Sequence, residues 1–170
     1  LLWIVALLNY LDRVMITTIR DPLMADITMT NAQFGLLTSV FLWVYAIFSP
    51  LGGFLADRFS RSAVIIGSLL IWSTAMWLTG RMHSIDSLLA ARGLMGLSEA
   101  GYFPAALALV SDYHPGPTRS FATGLLMTGI DVGTALGGVG GFIAEYFGWR
   151  AGFQWVGAFG IGYVVIAAFF

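Results

Sequence analysis

The string Gly52-Gly53-Phe54-Leu55-Ala56-Asp57-Arg58-Phe59-Ser60-Arg61 returns 88 residues later as Gly140-Gly141-Phe142-Ile143-Ala144-Glu145-Tyr146-Phe147-Gly148-Trp149-Arg150. Both copies read small, small, Phe, aliphatic, Ala, acid, any residue, Phe, and then end on arginine. Each closes a long apolar run. A repeat of this kind constrains the fold more than any single residue, because the two copies must be built alike.

The runs themselves identify the solvent. Only 10% of the 170 residues are charged and 58% are apolar, against roughly 25% charged in a soluble domain. Stretches long enough to cross a hydrocarbon core of about 20 helical residues fall at 1–19, 33–56, 62–80, 86–110, 121–144 and 151–170. Polar breaks run from Arg20 to Asn31, Asp57 to Arg61, Arg81 to Ser84, Ser111 to Ser120 and Glu145 to Arg150. Pro115 and Pro117 make the fourth break the sharpest, since proline cannot continue a helix. The expected fold is therefore all-α, with six transmembrane helices.

The repeated string closes spans two and five, so three crossings separate the copies. An odd number puts them on opposite sides of the membrane. The repeat is then inverted, three helices plus three, with units of approximately 1–80 and 86–170. Arginines are shared evenly between the two sides: Arg58, Arg61 and Arg119 on one, Arg20, Arg81 and Arg150 on the other. The positive-inside rule gives no orientation.

Several function classes drop out early. With no cysteine and two scattered histidines, neither a disulfide framework nor a metal site of the usual ligands is expected. A net charge of −1 gives no electrostatic footprint for nucleic acid. No Ser/His pair, His-Glu-x-x-His or protease-type aspartate pair is present, so no enzyme activity and no cofactor are expected. The first run carries Asp12 and Arg13, unlike a signal peptide. A start at Leu1 and a stop inside an apolar run read as a fragment.

Five ionisable residues fall inside the spans: Asp12, Arg13, Arg92, Glu99 and Asp131. Each costs roughly 2.5–3.5 kcal/mol at a helix centre on insertion scales, so together they imply a water-filled cavity. Asn9, Asp12, Arg13 and Thr17 share one face of span one by three-and-four spacing. Arg92, Gly96, Glu99 and Phe103 share one on span four; Thr38, Tyr45 and Ser49 line span two. The repeat offset brings Glu99 within one residue of Asp12, which places two acids at matching depth. Burial favours a protonated acid and a nearby arginine an ionised one, so an acid held between the two can exchange a proton. An arginine in the same cavity offers a forked donor to a carboxylate. The alternatives are structural pairs, Asp12 with Arg13 and Arg92 with Glu99. Asp131 lies almost opposite a stripe of Gly129, Gly133, Gly137 and Gly141, and is either an extra cavity acid or a partner for a neighbouring helix. The stripe itself suits close helix packing, without excluding a moving interface. His83 and His114 fall in loops. Trp3, Trp72, Trp77, Trp149 and Trp155 read as interface anchors or packing.

Gly53 to Arg61 resembles the G-x-L-a-D-r-x-G-r signature between helices two and three of the major facilitator superfamily, with Ser60 in place of the usual glycine. The chain is similar throughout to that family's N-terminal six-helix half. The resemblance implies a twelve-helix carrier whose other half is absent here, a cytoplasmic loop at Asp57, and a gating role for Gly53, Asp57, Arg58 and Arg61. An ion pair from Asp57 to Arg61 is the simpler alternative. Asn9-Tyr10-Leu11-Asp12-Arg13, Phe41-Leu42-Trp43-Val44-Tyr45 and Arg92 to Ala105 resemble the anion:cation symporters, carriers of sugar acids and related anions. That likeness implies proton coupling at Asp12 and Glu99, and substrate contacts at Arg13, Arg92, Tyr10 and Tyr45. Implied partners are a small organic anion, protons and the lipid bilayer, and the implied location is a bacterial inner membrane. A proton-driven drug exporter of the same fold is the runner-up. Thr134 stands where the exporters' helix-five motif has proline after Gly133. A non-transporting membrane sensor is the third reading.

Overall fold

In the computed structural model, which describes residues 1–169, nine helices make up the six expected crossings. They are α1 (Leu2–Thr18), α2 (Arg20–Asp26), α3 (Asn31–Arg58), α4 (Arg61–Thr79), α5 (Ile85–Glu99), α6 (Tyr102–Tyr113), α7 (Thr118–Gly137), α8 (Val139–Phe147) and α9 (Trp149–Ala168). Phe170, the expected end of span six, lies outside the described residues. Five stretches are long and apolar enough to cross a membrane alone. The bent pair α1 and α2, angled by 62°, supplies a sixth.

Two of the crossings each consist of two consecutive helical segments. Span four divides into α5 and α6 at Ala100 and Gly101. Pro104 has no N–H to give the Ala100 carbonyl, and Gly52 of α3 sits so close to that carbonyl that a Cβ would collide with it. Span five divides into α7 and α8 at Gly138. The turn into α9 needs Gly148 at φ 83°, a conformation glycine adopts without strain.

The first polar break is a correction. The segment from Arg20 to Asn31 was expected to be loop, yet α2 occupies most of it. Pro22 stands in that helix's first turn, where a missing N–H costs nothing. Leu23, Ile27 and Met29 are buried by it, so the segment folds back over one end of the bundle. In contrast α3 runs through Pro50 without ending. Its start is fixed by a reciprocal cap: Thr30 Oγ1 accepts from the Gln33 N–H, and Gln33 Oε1 accepts from the Thr30 N–H at 2.8 Å.

Packing divides the core into two apolar clusters. One holds Met15, Ile19, Leu37, Phe41, Met76, Met95 and Phe153. The other holds Val5, Leu8, Leu69, Trp72, Tyr102, Ala105 and Leu126. On α1, Asn9, Asp12 and Arg13 fall between residues of the two clusters, and so does Glu99 between α5 and α6. That polar layer is what the fold positions.

The glycine stripe resolves as tight packing. Gly129 and Gly133 lie against the backbone oxygens of Trp3 and Leu7, and Gly137 against Val14 and the Leu11 carbonyl. An added Cβ at Gly129 would stand 2.7 Å from the Trp3 oxygen. Gly140 continues the seam against Met15 and Gly141 against Thr18.

Candidate functional site

Four charged side chains and an amide meet in the layer between the two clusters. Asp12 and Glu99 are fully buried, Asn9 and Arg92 nearly so. Arg13 donates to Glu99 Oε2 from Nε at 3.0 Å and from Nη2 at 2.9 Å. Neither pairing offered by the sequence forms: Asp12 does not pair with Arg13, nor Arg92 with Glu99. Adjacent residues diverge around a helix, so Arg13 reaches across to α5 instead, and Arg92 is two turns from Glu99.

The arginines are held by aromatic faces. The Arg13 guanidinium carbon lies 4.5 Å from the Tyr45 ring centre, 4.8 Å from Tyr10 and 5.0 Å from Phe41. Arg92 lies 4.9 Å from the Phe41 ring, and its Nη1 reaches Met95 Sδ at 3.9 Å. Phe41 therefore touches both cations. The sequence placed it in a family-like string but gave it no role, because a buried phenylalanine on an apolar helix carries no signal of its own. Gly96 lets α3 close on α5 here: a Cβ would meet the Phe41 carbonyl oxygen at 2.5 Å.

The layer is incompletely satisfied. Both Asp12 oxygens, Glu99 Oε1, Asn9 Nδ2 and Arg92 Nε have no hydrogen-bond partner among the described residues. Asp12 lies within electrostatic reach of Glu99, Arg92 and Arg13. Buried polar atoms are normally paired, so these donors and acceptors are open to water or to another polar group. With both acids ionised, two carboxylates balance two guanidiniums.

The residues expected to gate lie elsewhere. Asp57 and Arg58 are exposed at the end of α3, and nothing stands within 4 Å of a Cβ at Gly53. Arg61 does not turn to Asp57. It bonds to the Asp112 carboxylate and to the Ala108 carbonyl of α6. The opposite face has a counterpart the sequence did not reveal. Arg150 bonds to Asp26, to the Met82 carbonyl at 2.9 Å and to His83 Nδ1 at 3.0 Å, while Trp149 Nε1 also donates to Asp26. Thus the arginine closing each repeated string grips the end of the other repeat's first span. Asp131 is exposed on α7, away from the glycine seam.

Of the tryptophans, Trp72 and Trp149 are buried and Trp155 is exposed. Among the described residues no cluster of metal-binding side chains forms.

This arrangement can be set beside known proteins. The model of the Major Facilitator Superfamily matches residues 2–170. The chain belongs to the major facilitator superfamily. It is 35% identical over 162 residues to a probable sulfoacetate transporter of Cupriavidus necator, covering 95% of this chain and 38% of that protein. It is 28% identical to a hexuronate transporter of Bacillus subtilis, covering 97% of this chain and 39% of that one. Among solved structures, it overlays a bacterial homologue of the human lysosomal transporter Spinster, inward-facing and occupied. That match has a TM-score of 0.89 and 28% identity, over 99% of this chain and 42% of the other. The chain spans about two fifths of the length of the relatives it matches. It is a multi-pass membrane protein from a family of transporters, not of enzymes.

Proposed function

We propose that the chain, residues 1–170, forms the first six-helix half of a secondary active transporter. With a second half it carries a small organic anion together with protons by alternating access. The observation that carries this reading is the buried layer of Asp12, Arg13, Arg92 and Glu99 with its unpaired oxygens and nitrogens.

Electroneutrality links the two cargoes. Two acids and two arginines balance without substrate, so an arriving carboxylate adds one uncompensated negative charge to a low-dielectric site. Such a charge is costly unless neutralised. A proton taken up by Glu99 or Asp12 restores the balance. The Arg13 guanidinium, released from Glu99 when that acid is protonated, is then free to grip the anion in a forked bond. Arg92 completes the positive field, Tyr10 and Tyr45 orient Arg13 and offer hydroxyls to the substrate, and no bond of the substrate is broken. Rocking of the two halves opens the site to the other side, with Gly53, Asp57, Arg58 and Arg61 at the contact between halves. Relatives named as a probable sulfoacetate transporter, a hexuronate transporter and a probable galactarate/D-glucarate transporter support a small hydroxylated or acidic anion, and the bacterial ones an inner membrane.

Two relatives, an efflux pump of Mycolicibacterium smegmatis and a quinolone resistance protein of Staphylococcus aureus, each 31% identical, keep drug export as the second reading.

The test uses proteoliposomes holding the chain with its second half, and records proton entry on addition of sugar acids and other carboxylates. Anion-driven proton entry that disappears in Glu99→Gln is the expected result. Anion uptake with no proton movement overturns the coupling; no response to any carboxylate, with extrusion of cationic drugs, favours the exporter.

A further inference from the structure

Asp12 is the member of the buried layer whose bonding is hardest to account for. It is fully buried, yet neither carboxyl oxygen meets a donor among the described residues. Two guanidiniums act on it, Arg92 more strongly than Arg13. An ionised carboxylate there would turn to one of them, because a buried charge is costly unless paired. Among the described residues it bonds to neither. Arg92 in turn reaches Met95 Sδ at 3.9 Å, and its Nε is without a partner.

The neighbour Asp12 does have is Glu99. The two carboxyl groups stand within hydrogen-bond reach of each other. Both bonds from Arg13 go to Glu99 Oε2, which leaves Oε1 free. Two ionised carboxylates in contact repel, and two acceptors form no hydrogen bond. One proton between them removes both faults. Since Glu99 still holds Arg13, that proton sits on Asp12, whose O–H donates to Glu99. A neutral Asp12 also explains why Arg92 stands unpaired.

Few other ionisable groups face the pair. Glu99 feels Arg13 more strongly than Arg92, the reverse of Asp12. Tyr10 of α1 and Tyr45 of α3 lie against Arg13. Helices α7 and α8 turn glycines towards α1 and leave Asp131 and Glu145 exposed. On α4, α6 and α9 the ionisable side chains are engaged elsewhere: Arg61 with Asp112, Tyr102 and Tyr163 with the first carbonyls of the chain, and Arg150 with Asp26.

We propose that Asp12 and Glu99 share one proton, and that its position on their hydrogen bond selects which arginine is free to take the anion. With the proton on Asp12, Glu99 holds Arg13. When the proton crosses, the O–H bond of Asp12 breaks and an O–H bond forms on Glu99. Negative charge then passes from Glu99, beside Arg13, to Asp12, beside Arg92. Arg13 is released to the carboxylate, and Arg92 gains the partner it lacked. No proton enters or leaves in this step. Electroneutrality alone leaves the order of loading open; the shared proton sets it, since the layer already carries one net positive charge when the anion arrives. The release of Arg13 rests on the anion site proposed above, whereas the shared proton rests on the contact between the two acids.

The proton can be observed without a ligand. Infrared spectra of the chain with its second half separate the C=O stretch of a protonated carboxyl group from that of a carboxylate, and at neutral pH exposed acids are ionised. The expected result is a protonated-carboxyl component that is lost in Asp12→Asn and equally lost in Glu99→Gln. Either substitution leaves one acid between two arginines, which hold it ionised, and both keep the size and shape of the side chain. Loss in one variant alone assigns the proton to a single acid and overturns the sharing. Loss in neither, or no such component in the unaltered protein, overturns the proposal outright. Adding gluconate is expected to shift the component without removing it, as the proton passes to Glu99. Binding with no shift, or with loss of the component, overturns the crossing. If neither gluconate nor any other carboxylate binds while the ligand-free result holds, the anion site and the selection of an arginine are wrong and the shared proton stands.

Discussion

The first helix meets α7 and α5 in opposite ways. Against α7 it forms a close seam in which Gly129 and Gly133 lie against backbone oxygens, and the side chains of Trp3 and Thr18 add neutral hydrogen bonds to Thr128 and the Gly137 carbonyl. Against α5 it presents Asp12 and Arg13 to Glu99 and Arg92, in a layer where Asn9, Asp12, Arg92 and Glu99 each keep a polar atom without a partner among the described residues. The seam fixes where α1 stands; the layer uses that fixed position to hold charges that would otherwise be expelled. One side of a single helix serves packing, and the other is free to change state.

The comparison breaks first at the seam. Gly133→Leu is expected to cost on the order of 3 kcal/mol or more by overpacking, because even a Cβ collides with the Leu7 carbonyl. Gly124→Ala, where nothing stands within 4 Å, should change stability by about 1 kcal/mol or less, the scale of helix propensity. Thermal unfolding in detergent compares the pair; equal effects would mean the seam is not a tight contact.

The layer is sharpened by removing one charge and then its partner. Arg13→Gln strands Glu99 without its cation and should destabilise by about 3 kcal/mol, as for other broken buried pairs. Adding Glu99→Gln should recover much of that loss, a coupling that a double-mutant cycle measures directly. Additive losses would show that the two groups do not act as a pair. A smaller effect is expected at Phe41→Leu. It keeps an apolar side chain but removes the ring beneath Arg13 and Arg92, for roughly 1 kcal/mol in stability, with weaker anion binding by titration. The smallest lies at the two faces. Arg61→Gln and Arg150→Gln break partly exposed ion pairs and should each cost about 1 kcal/mol or less by the same melting assay.

Much of this was legible in residue order. The repeated string gave the inverted arrangement, and the length of the apolar runs gave the number of crossings. Five intramembrane charges stood out, of which Asp12, Arg13, Arg92 and Glu99 come together and Asp131 stays apart. What stayed hidden depends on direction in space. That Arg13 pairs with Glu99 and not with Asp12 follows from where two helices stand, which spacing along each does not state. Phe41 joined the site because its ring happens to lie between two guanidiniums. The helix at Arg20–Asp26 was missed because Asp21, Pro22 and Asp26 look like loop residues until Leu23, Ile27 and Met29 find apolar partners. Asp26 then became the partner of Arg150, a contact across 124 positions that no local pattern records.

The most direct test separates proton movement from anion movement at Glu99. Proteoliposomes holding Glu99→Gln with the second half would be measured in two modes: exchange of labelled for unlabelled anion, and accumulation driven by a proton gradient. The account predicts that exchange persists, because Arg13 is freed from its partner, while gradient-driven accumulation is lost. Accumulation that survives the substitution, or exchange that vanishes as fully as it does in Arg13→Ala, would contradict the assignment of the proton to this carboxylate.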